Sequence, residues 1–302
     1  MSTFALVGAV ELGLVYGLVA LGVYLSFRVL SFPDLTVDGS FPLGAAVAAT
    51  GIVGGLDPYL ATGLAALAGA AAGLVTATLS VRFRILHLLA SILTMIALYS
   101  VILRVMGRPN IALITEPTVL TPFEPYLSAL WLRPLLVACV LVVVLLLLAR
   151  FLLSEAGLAM RAVGVNPRMA EAQGVAVGAS TLLGMALSNA LAALAGAFFA
   201  QLNGFADVTI GTGTIVVGLA SVIVGETVLP ARGVAGAILA CVAGSVLYRL
   251  AVALALEADF LGLQASDLNL VTALLVGAAL ILPAGRARLR AALRSRGMQA
   301  SS

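Results

Sequence analysis

The chain has 302 residues, of which 62% are hydrophobic and only 10% are charged, and its formal net charge is +3. A soluble globular domain carries about a quarter charged residues to cover its surface, so this composition excludes a water-soluble protein and requires a surface that faces lipid. All 16 basic residues are arginine, which excludes a lysine-bearing phosphate loop and an enzyme that uses its own lysine as a Schiff base. The one histidine and two cysteines are dispersed along the chain, so neither a metal site nor a cofactor is expected.

Apolar blocks of about 20 residues are long enough to cross the membrane as helices, which satisfy their backbone hydrogen bonds internally. In chain order, nine candidate spans cover residues 4–27, 37–56, 59–79, 87–106, 134–153, 179–202, 212–225, 234–256 and 268–283. Glycine, proline or acidic residues interrupt the second and seventh blocks, so we expect these two to be broken or reentrant helices. The sequence therefore predicts an all-α, polytopic transmembrane bundle in which residues 1–302 form a single domain.

The arginines are concentrated in alternate loops of this arrangement. These loops carry Arg82 and Arg84, Arg161 and Arg168, and Arg232, and five more arginines lie in the tail 285–302, while Arg108 and Arg133 are the main exceptions. The intervening loops carry most of the acidic residues. By the positive-inside rule, the arginine-rich loops and the tail are cytoplasmic and the N-terminus is outside. We interpret the tail as a topology anchor attracted to anionic lipid, and no nucleic acid is expected as a partner.

Two short motifs are alike: Asp34-Leu-Thr-Val and Asp207-Val-Thr-Ile each open a glycine-rich apolar block. With the predicted topology, the two blocks cross the membrane in opposite directions. That arrangement is typical of the inverted repeats of transporters, in which broken helices surround a central pathway. A chance match is the alternative, because alanine- and glycine-rich sequence produces short similarities easily.

Polar side chains within or beside the spans are candidates for lining a solute pathway, because acids at membrane depth usually face the bundle interior or water. The candidates are Glu11, Asp34, Thr36, Asp38, Ser188, Asn189, Asp207, Thr209 and Arg249. The predicted pathway set comprises Asp34, Thr36, Asp38, Asn189, Asp207 and Thr209. Structural roles remain open: the aspartates can cap a broken helix, Ser188 and Asn189 can hydrogen-bond between helices, and Glu11 and Arg249 can extend to the interface.

The longest polar interruption on the predicted cytoplasmic side is the segment 154–178. Asn166-Pro167 can start a helix with proline at its first position, and Gly174 can end one, so a short surface helix is predicted over 167–173. A partner protein can grip such an exposed helix between two spans. An ordinary loop helix with no partner is the alternative.

This segment resembles the coupling segment of ABC importer permeases of the branched-chain amino acid and ribose type. The matching positions are Gly157, Arg161, Ala170 and Gly174, and with Glu155 and Pro167 they form the predicted ATPase-coupling set. The stretch FPDLTVDGSFPLGAA at 32–46 resembles the broken second helix of that family, and VIVGETVLPARGVAGAI at 222–238 resembles its glycine-rich reentrant loop. The closing ALILPAGR at 279–286 is similar to its last span and tail. LSFPDLTVDGSFPLGAA and TMIALYSVILRVMGRPN look most similar to a branch linked to aromatic amino acids or to small solutes not yet assigned.

The resemblance implies a permease subunit, not an enzyme, that imports a small solute such as an amino acid by alternating access in the bacterial inner membrane. It also implies a second permease copy or a related permease, two ATPase subunits, an extracytoplasmic solute-binding protein and membrane lipid as partners. Because the chain lacks a lysine-bearing phosphate loop, energy for uphill transport must come from a separate ATPase or from an ion gradient. An ion-coupled secondary transporter is therefore the alternative function. An intramembrane serine enzyme is disfavoured because no base partner can be named for Ser221.

Overall fold

The computed structural model describes residues 3–125, 129–230, 233–256 and 277. Within these residues the chain is mainly helical, which confirms the predicted all-α class. The α-helices are α1 (Thr3–Val23), α2 (Val37–Val53), α3 (Pro58–Val81), α4 (His87–Met106), α5 (Ala129–Leu153), α6 (Glu155–Val165), α7 (Pro167–Ala172), α8 (Val177–Asn203), α9 (Thr214–Val228) and α10 (Val234–Leu256). A π-helical segment, Tyr24–Val29, extends α1, and a 3-10 turn spans Thr121–Phe123.

Six of the described helices are long and apolar enough to cross a membrane. They cover Thr3–Val29, Pro58–Val81, His87–Met106, Trp131–Leu153, Val177–Asn203 and Val234–Ala255. Helices α2 and α9 have 17 and 15 residues. At 1.5 Å per residue they reach only about 22 to 26 Å, which is shorter than the roughly 30 Å of hydrocarbon. Eight of the nine predicted blocks thus correspond to helices, and the two that were expected to be interrupted are the two short ones. Apart from residue 277, the ninth block at 268–283 and the tail 285–302 lie outside the described residues.

Two three-residue strands, β1 (Asn110–Ala112) and β2 (Phe205–Asp207), pair antiparallel with Asn110 opposite Asp207. They follow α4 and α8 respectively, so the ends of these two helices meet on one face of the bundle, which we call the strand side. Helices α6 and α7 connect the end of α5 to the start of α8 on the opposite face. We call that face the coupling side.

Helices approach one another closely at glycines. A Cβ atom added to Gly73 of α3 would overlap the carbonyl of Met185 in α8, and one added to Gly13 of α1 would overlap the backbone of Val246 in α10. Ser245 beside this second contact donates a 2.7 Å hydrogen bond to the carbonyl of Gly13. Small residues at such crossings are expected where lipid provides no hydrophobic drive for helix association.

Helices α2 and α9 run in opposite directions. The contacts of Gly22 with Ser188 and of Leu30 with Gly184 make α1 and α8 antiparallel. Helix α9 follows α1 in the same direction, and α2 follows α8 in the same direction. The contacts of Gly218 with Val23, of Glu226 with Arg28, of Ser40 with Asn189 and of Gly44 with Ala193 fix these two directions. The opposite courses of the two blocks agree with the predicted inverted repeat.

The links that lead into α2 and α9 share their local geometry as well. Ser31 and Gly204 both have left-handed backbone, with φ of 54° and 76°, and each is followed by phenylalanine. An aspartate stands three residues after each left-handed residue. Its carboxylate accepts a hydrogen bond from the backbone amide two residues later, at 2.9 Å for Asp34 and at 2.8 Å for Asp207. The packing partners correspond as well. Helix α3, which follows α2, packs on α8, and helix α10, which follows α9, packs on α1. A chance match of four letters does not account for this correspondence.

Candidate functional site

Two capped helices form the segment 154–178. The hydroxyl oxygen of Ser154 accepts a 3.4 Å hydrogen bond from the amide of Gly157 at the start of α6. The side-chain oxygen of Asn166 accepts a 3.1 Å bond from the amide of Met169, with proline at the first position of α7. Gly174 follows with φ of 84°, a backbone conformation that suits glycine. The predicted helix at 167–173 is confirmed, and α6 is an additional helix that sequence analysis missed although its serine cap and first-turn Glu155 were a usable signal.

Helix α6 is held tightly against two spans. A side chain at Gly157 would overlap the carbonyl of Phe151 at the end of α5, and one at Gly164 would overlap the carbonyl of Val29 at the end of α1. The hydroxyl of Ser31 donates a 3.0 Å hydrogen bond to the carbonyl of Gly164. Because backbone meets backbone at both glycines, a displacement of α6 acts directly on the ends of α1 and α5.

The outward face of the coupling segment is apolar and rimmed by charge. Val165 is 88% exposed and Met169 64% exposed, and Leu158 is exposed as well. Exposed charged residues, including Arg168 and Glu171, lie beside them. Exposed apolar side chains beside charged ones suit a protein-docking surface.

The structure divides the predicted coupling set into two groups. Glu155, Pro167 and Gly174 are exposed, and Arg161 is half-buried. Gly157 and Ala170 are buried, so these two anchor the segment and are not available for direct contact with a partner.

A buried polar network links the start of α2 to α8 and α3. The carboxylate of Asp34 accepts hydrogen bonds from the Asn189 side chain at 2.8 Å and from the Thr36 amide at 2.9 Å. Ser40 donates to the side-chain oxygen of Asn189 at 2.7 Å, and the hydroxyls of Thr36 and Thr76 are 2.8 Å apart. These side chains are all buried, and each has a partner, as buried polar groups require. The network therefore ties three helices together inside the bundle.

Asp38 joins the starts of the two short helices. It lies in the first turn of α2, and its carboxylate accepts hydrogen bonds from the amides of Ile215 at 2.7 Å and Gly213 at 3.3 Å, at the start of α9. The first amides of a helix lack intrahelical partners and carry partial positive charge. A carboxylate between two helix starts is therefore electrostatically compensated at this depth. Asp38 has the predicted capping role, but the helix that it caps begins far away along the chain.

A cavity of about 440 Å³ opens beside Asp38, within the size range of sites for small organic molecules. Helix α4 contributes one wall, and the link before α9 contributes another. The lining includes Asp38, Pro42, Met95, Tyr99, Val208 and Thr212. The lining thus combines one carboxylate and the hydroxyls of Ser100 and Thr212 with an aromatic ring, a thioether and aliphatic groups.

Asp207 and Thr209 lie on the strand side, next to the cavity wall formed by Val208. The carboxylate of Asp207 accepts bonds from the Thr209 hydroxyl at 2.6 Å, from its amide at 2.8 Å and from the Asn110 side chain at 3.3 Å. The hydrogen bonds from Thr209, and then that from Asn110, hold the pKa of the Asp207 carboxyl below its ordinary value. Of the predicted pathway residues, then, Asp38 lines the cavity, Asp207 and Thr209 lie at its edge, and Asp34, Thr36 and Asn189 are enclosed in the buried network.

Of the remaining intramembrane candidates, Ser188 and Arg249 contact residues of α1, and Glu11 is half-buried on α1. Ser188 donates a 2.7 Å bond to the carbonyl of Gly22, which joins α8 to α1. The guanidinium carbon of Arg249 lies 3.9 Å from the ring centre of Tyr16. Sequence reasoning missed Ser40 and Thr76 because isolated hydroxyls in alanine-rich helices carry no pattern that identifies their partners.

A family model described as "Branched-chain amino acid transport system / permease component" matches residues 5–283. A protein of Clostridioides difficile (strain R20291) named "Tyrosine transport system permease protein" is 37% identical over 264 residues, which cover 87% of this chain and 86% of the relative. An uncharacterized protein of Rickettsia prowazekii (strain Madrid E) is 39% identical over 225 residues, or 74% and 77% of the two chains. No solved structure matches the chain.

Proposed function

The chain belongs to the family of branched-chain amino acid transport system permease components, and we propose that it is the membrane subunit of an ATP-driven importer of an amino acid. Family membership and the six apolar helices make it a multi-pass membrane protein and a transport subunit. Residues 1–302 would act as one permease domain in the bacterial inner membrane. The coupling side would face the cytoplasm, the N-terminus would lie outside, and the tail 285–302 would be cytoplasmic.

The observation that carries this proposal is the apolar outer face of the coupling segment. Val165 and Met169 are exposed, and both lie outside the six candidate spans. Helix α6, which ends at Val165 and leads directly into α7, is anchored through Gly157 and Gly164 to α5 and α1. An ATPase that docks on this face can move two spans at once, which is what conversion of nucleotide energy into alternating access requires.

The cavity beside Asp38 is the proposed solute site. The carboxylate of Asp38 suits the ammonium group of an amino acid, while Met95, Pro42 and the ring of Tyr99 suit an apolar or aromatic side chain. The relative named for tyrosine transport supports the same class of solute. We therefore propose an amino acid with an aromatic or large apolar side chain.

The proposed complex contains two ATPase subunits, a second copy of the chain or a related permease, and an extracytoplasmic solute-binding protein. Two copies, each carrying one coupling segment, would match the two ATPases. Exposed leucines on α3 and α5, such as Leu67 and Leu146, would contact lipid.

Site-specific crosslinking tests this assignment. In a background in which Cys139 and Cys241 are replaced by alanine, Met169→Cys should crosslink to the co-expressed ATPase. Ile114→Cys is the matched control, because Ile114 is 85% exposed but follows β1 on the strand side. Failure of Met169→Cys to reach the ATPase, or equal crosslinking at both positions, would contradict the proposal.

Uptake measurements separate the ATP-driven mechanism from the ion-coupled alternative. Proteoliposomes that contain the permease, the ATPase and the binding protein should accumulate radiolabelled tyrosine in a vanadate-sensitive manner. Uptake that persists in vanadate and collapses with an ionophore would instead assign the chain to ion-coupled transport.

A further inference from the structure

The end of α1 is irregular where it reaches the coupling side. The helix widens into the π-helical segment Tyr24–Val29, in which the amide of Leu30 bonds to the carbonyl of Leu25 and that of Phe32 to the carbonyl of Ser26. Ser31 then adopts left-handed backbone with φ of 54°, which is uncommon for a residue other than glycine. We call residues 24–31 the α1 joint. π-Helical turns and strained backbone are frequent at functional sites, where the surrounding structure maintains them.

The α1 joint contacts the coupling segment through Val29 and Ser31, which are two residues apart. The hydroxyl of Ser31 donates to the carbonyl of Gly164, and the carbonyl of Val29 lies against the α-carbon of the same glycine. A movement of α6 therefore reaches the joint before it reaches the regular part of α1.

On its other side, the joint holds the end of α9. Arg28 pairs with Glu226 in the last turn of α9, through a 2.8 Å bond from Nε to Oε1 and a second bond from Nη2 to Oε2. Such a two-point contact fixes orientation as well as distance. The two side chains are 55% and 33% exposed, so their contribution to stability is expected to be small. A pair that contributes little to stability but defines a geometry is suited to positioning.

Helix α9 extends from this pair to the cavity. Glu226 lies eleven residues after Ile215, whose amide bonds to Asp38, and a helix of that length spans about 16 Å. Gly218 of α9 also packs on Val19 and Val23 of α1, but these residues precede the joint. In the described part of the chain, the Arg28–Glu226 pair thus connects α9 to the segment of α1 that touches α6.

We propose that the α1 joint and the Arg28–Glu226 pair transmit movement of the coupling segment to α9, and thereby open or close the cavity at Asp38. Arg28 and Glu226 are positioning residues, which act on solute through α9. The inference rests on the proposed function, since it presupposes an ATPase docked on α6 and α7.

The test uses a reporter that requires no knowledge of the solute. Thr212→Cys, in the cysteine-free background, places a thiol in the cavity wall. In the permease–ATPase complex, the alkylation rate of this thiol is measured with and without MgATP and vanadate. In the parent, the ratio of the two alkylation rates should differ clearly from one. Arg28→Gln and Glu226→Gln should each bring that ratio about 2- to 30-fold closer to one, as expected for residues on a coupling route.

Three measurements distinguish transmission from damage to the fold. ATP hydrolysis and co-purification of the ATPase should stay at the parent level in both variants, because the outer face of α6 and α7 is unaltered. The exchanged pair, Arg28→Glu with Glu226→Arg, should recover part of the ratio. Arg82→Ala, which removes an exposed arginine from the end of α3, should leave the ratio unchanged.

An unchanged ratio in Arg28→Gln would overturn the inference while leaving the permease assignment intact. The same conclusion would follow if the parent ratio were one although the ATPase co-purified, since no movement would then reach the cavity. A parent that neither binds an ATPase nor responds to nucleotide would overturn both the proposed function and this inference.

Discussion

Replacement of Asn189 by alanine should lower the free energy of unfolding of the bundle, because the side chain links α8 to the start of α2. The variant removes the 2.8 Å bond to the carboxylate of Asp34 and leaves the hydroxyl of Ser40 without its acceptor. Interhelical hydrogen bonds in membranes contribute on average about 0.6 kcal/mol and at most about 1.7 kcal/mol each. The loss of two such bonds should lower the free energy of unfolding by about 1.2 to 3.4 kcal/mol. Because Asp34 is buried and would lose a hydrogen-bond donor, we expect the upper part of that range.

Asn203→Ala is the matched control for this measurement. Asn203 lies at the exposed end of the same helix, and among the described residues its side chain donates to the carbonyl of Phe199 within that helix. Reversible unfolding in mixed micelles, followed by circular dichroism, gives the free energy of unfolding of both variants. A double-mutant cycle between Asn189→Ala and Asp34→Ala should return a coupling energy of at least about 0.5 kcal/mol. Equal losses for the two asparagine variants, or a coupling energy near zero, would refute the idea that the buried network holds α2 against α8.

Three further outcomes are expected. Asp38→Asn weakens the acceptor for the first amides of α9, so solute uptake should fall, whereas Asp57→Asn, which weakens the cap of α3, should leave uptake close to the parent value. Gly164→Ala should lower the free energy of unfolding by about 1 to 3 kcal/mol and reduce co-purification of the ATPase, because the added methyl group overlaps the α1 joint. In Gly63→Ala the methyl group meets open space, so both stability and co-purification should stay close to the parent values. The pKa of Asp207 is lowered in the folded state, so its contribution to stability is present above the unfolded pKa of about 3.9 and is lost as pH falls through the lower folded pKa. Acid titration of Asp207→Asn should accordingly show a smaller loss of stability below about pH 4 than the parent.

The positions of the spans were predictable because they follow from length and polarity alone. Eight of nine blocks correspond to described helices, and the interruptions in 37–56 and 212–225 marked the two short ones. The helix at 167–173 was equally predictable, since proline at its first position and glycine after its end are local signals. Each of these features depends on residues that are neighbours along the chain.

The partners of the polar residues were not predictable, because they are distant in sequence. Asp38 bonds to amides 175 and 177 residues away, and Asn189 lies 155 residues from Asp34. Asp34 and Asp38 are four residues apart, a spacing that would place them on one face of a continuous helix, but α2 begins at Val37, so Asp34 precedes the helix. The two carboxylates therefore engage different helices, one at α8 and the other at α9. Local periodicity does not contain that information.

The two halves of the repeat fix their short helices through different contacts. Both Asp34 and Asp207 form the same turn with the threonine two residues later. In the first half the turn is buried, and Asn189 bonds to its carboxylate, so the start of α2 is fixed to α8. In the second half the turn is half-exposed on the strand side, and the first amides of α9 bond to Asp38 of the other repeat. Helix α9 thus has a polar contact near each end, with Asp38 at its start and with Arg28 in its last turn, and the proposed transmission from Arg28 would reach the cavity along this helix.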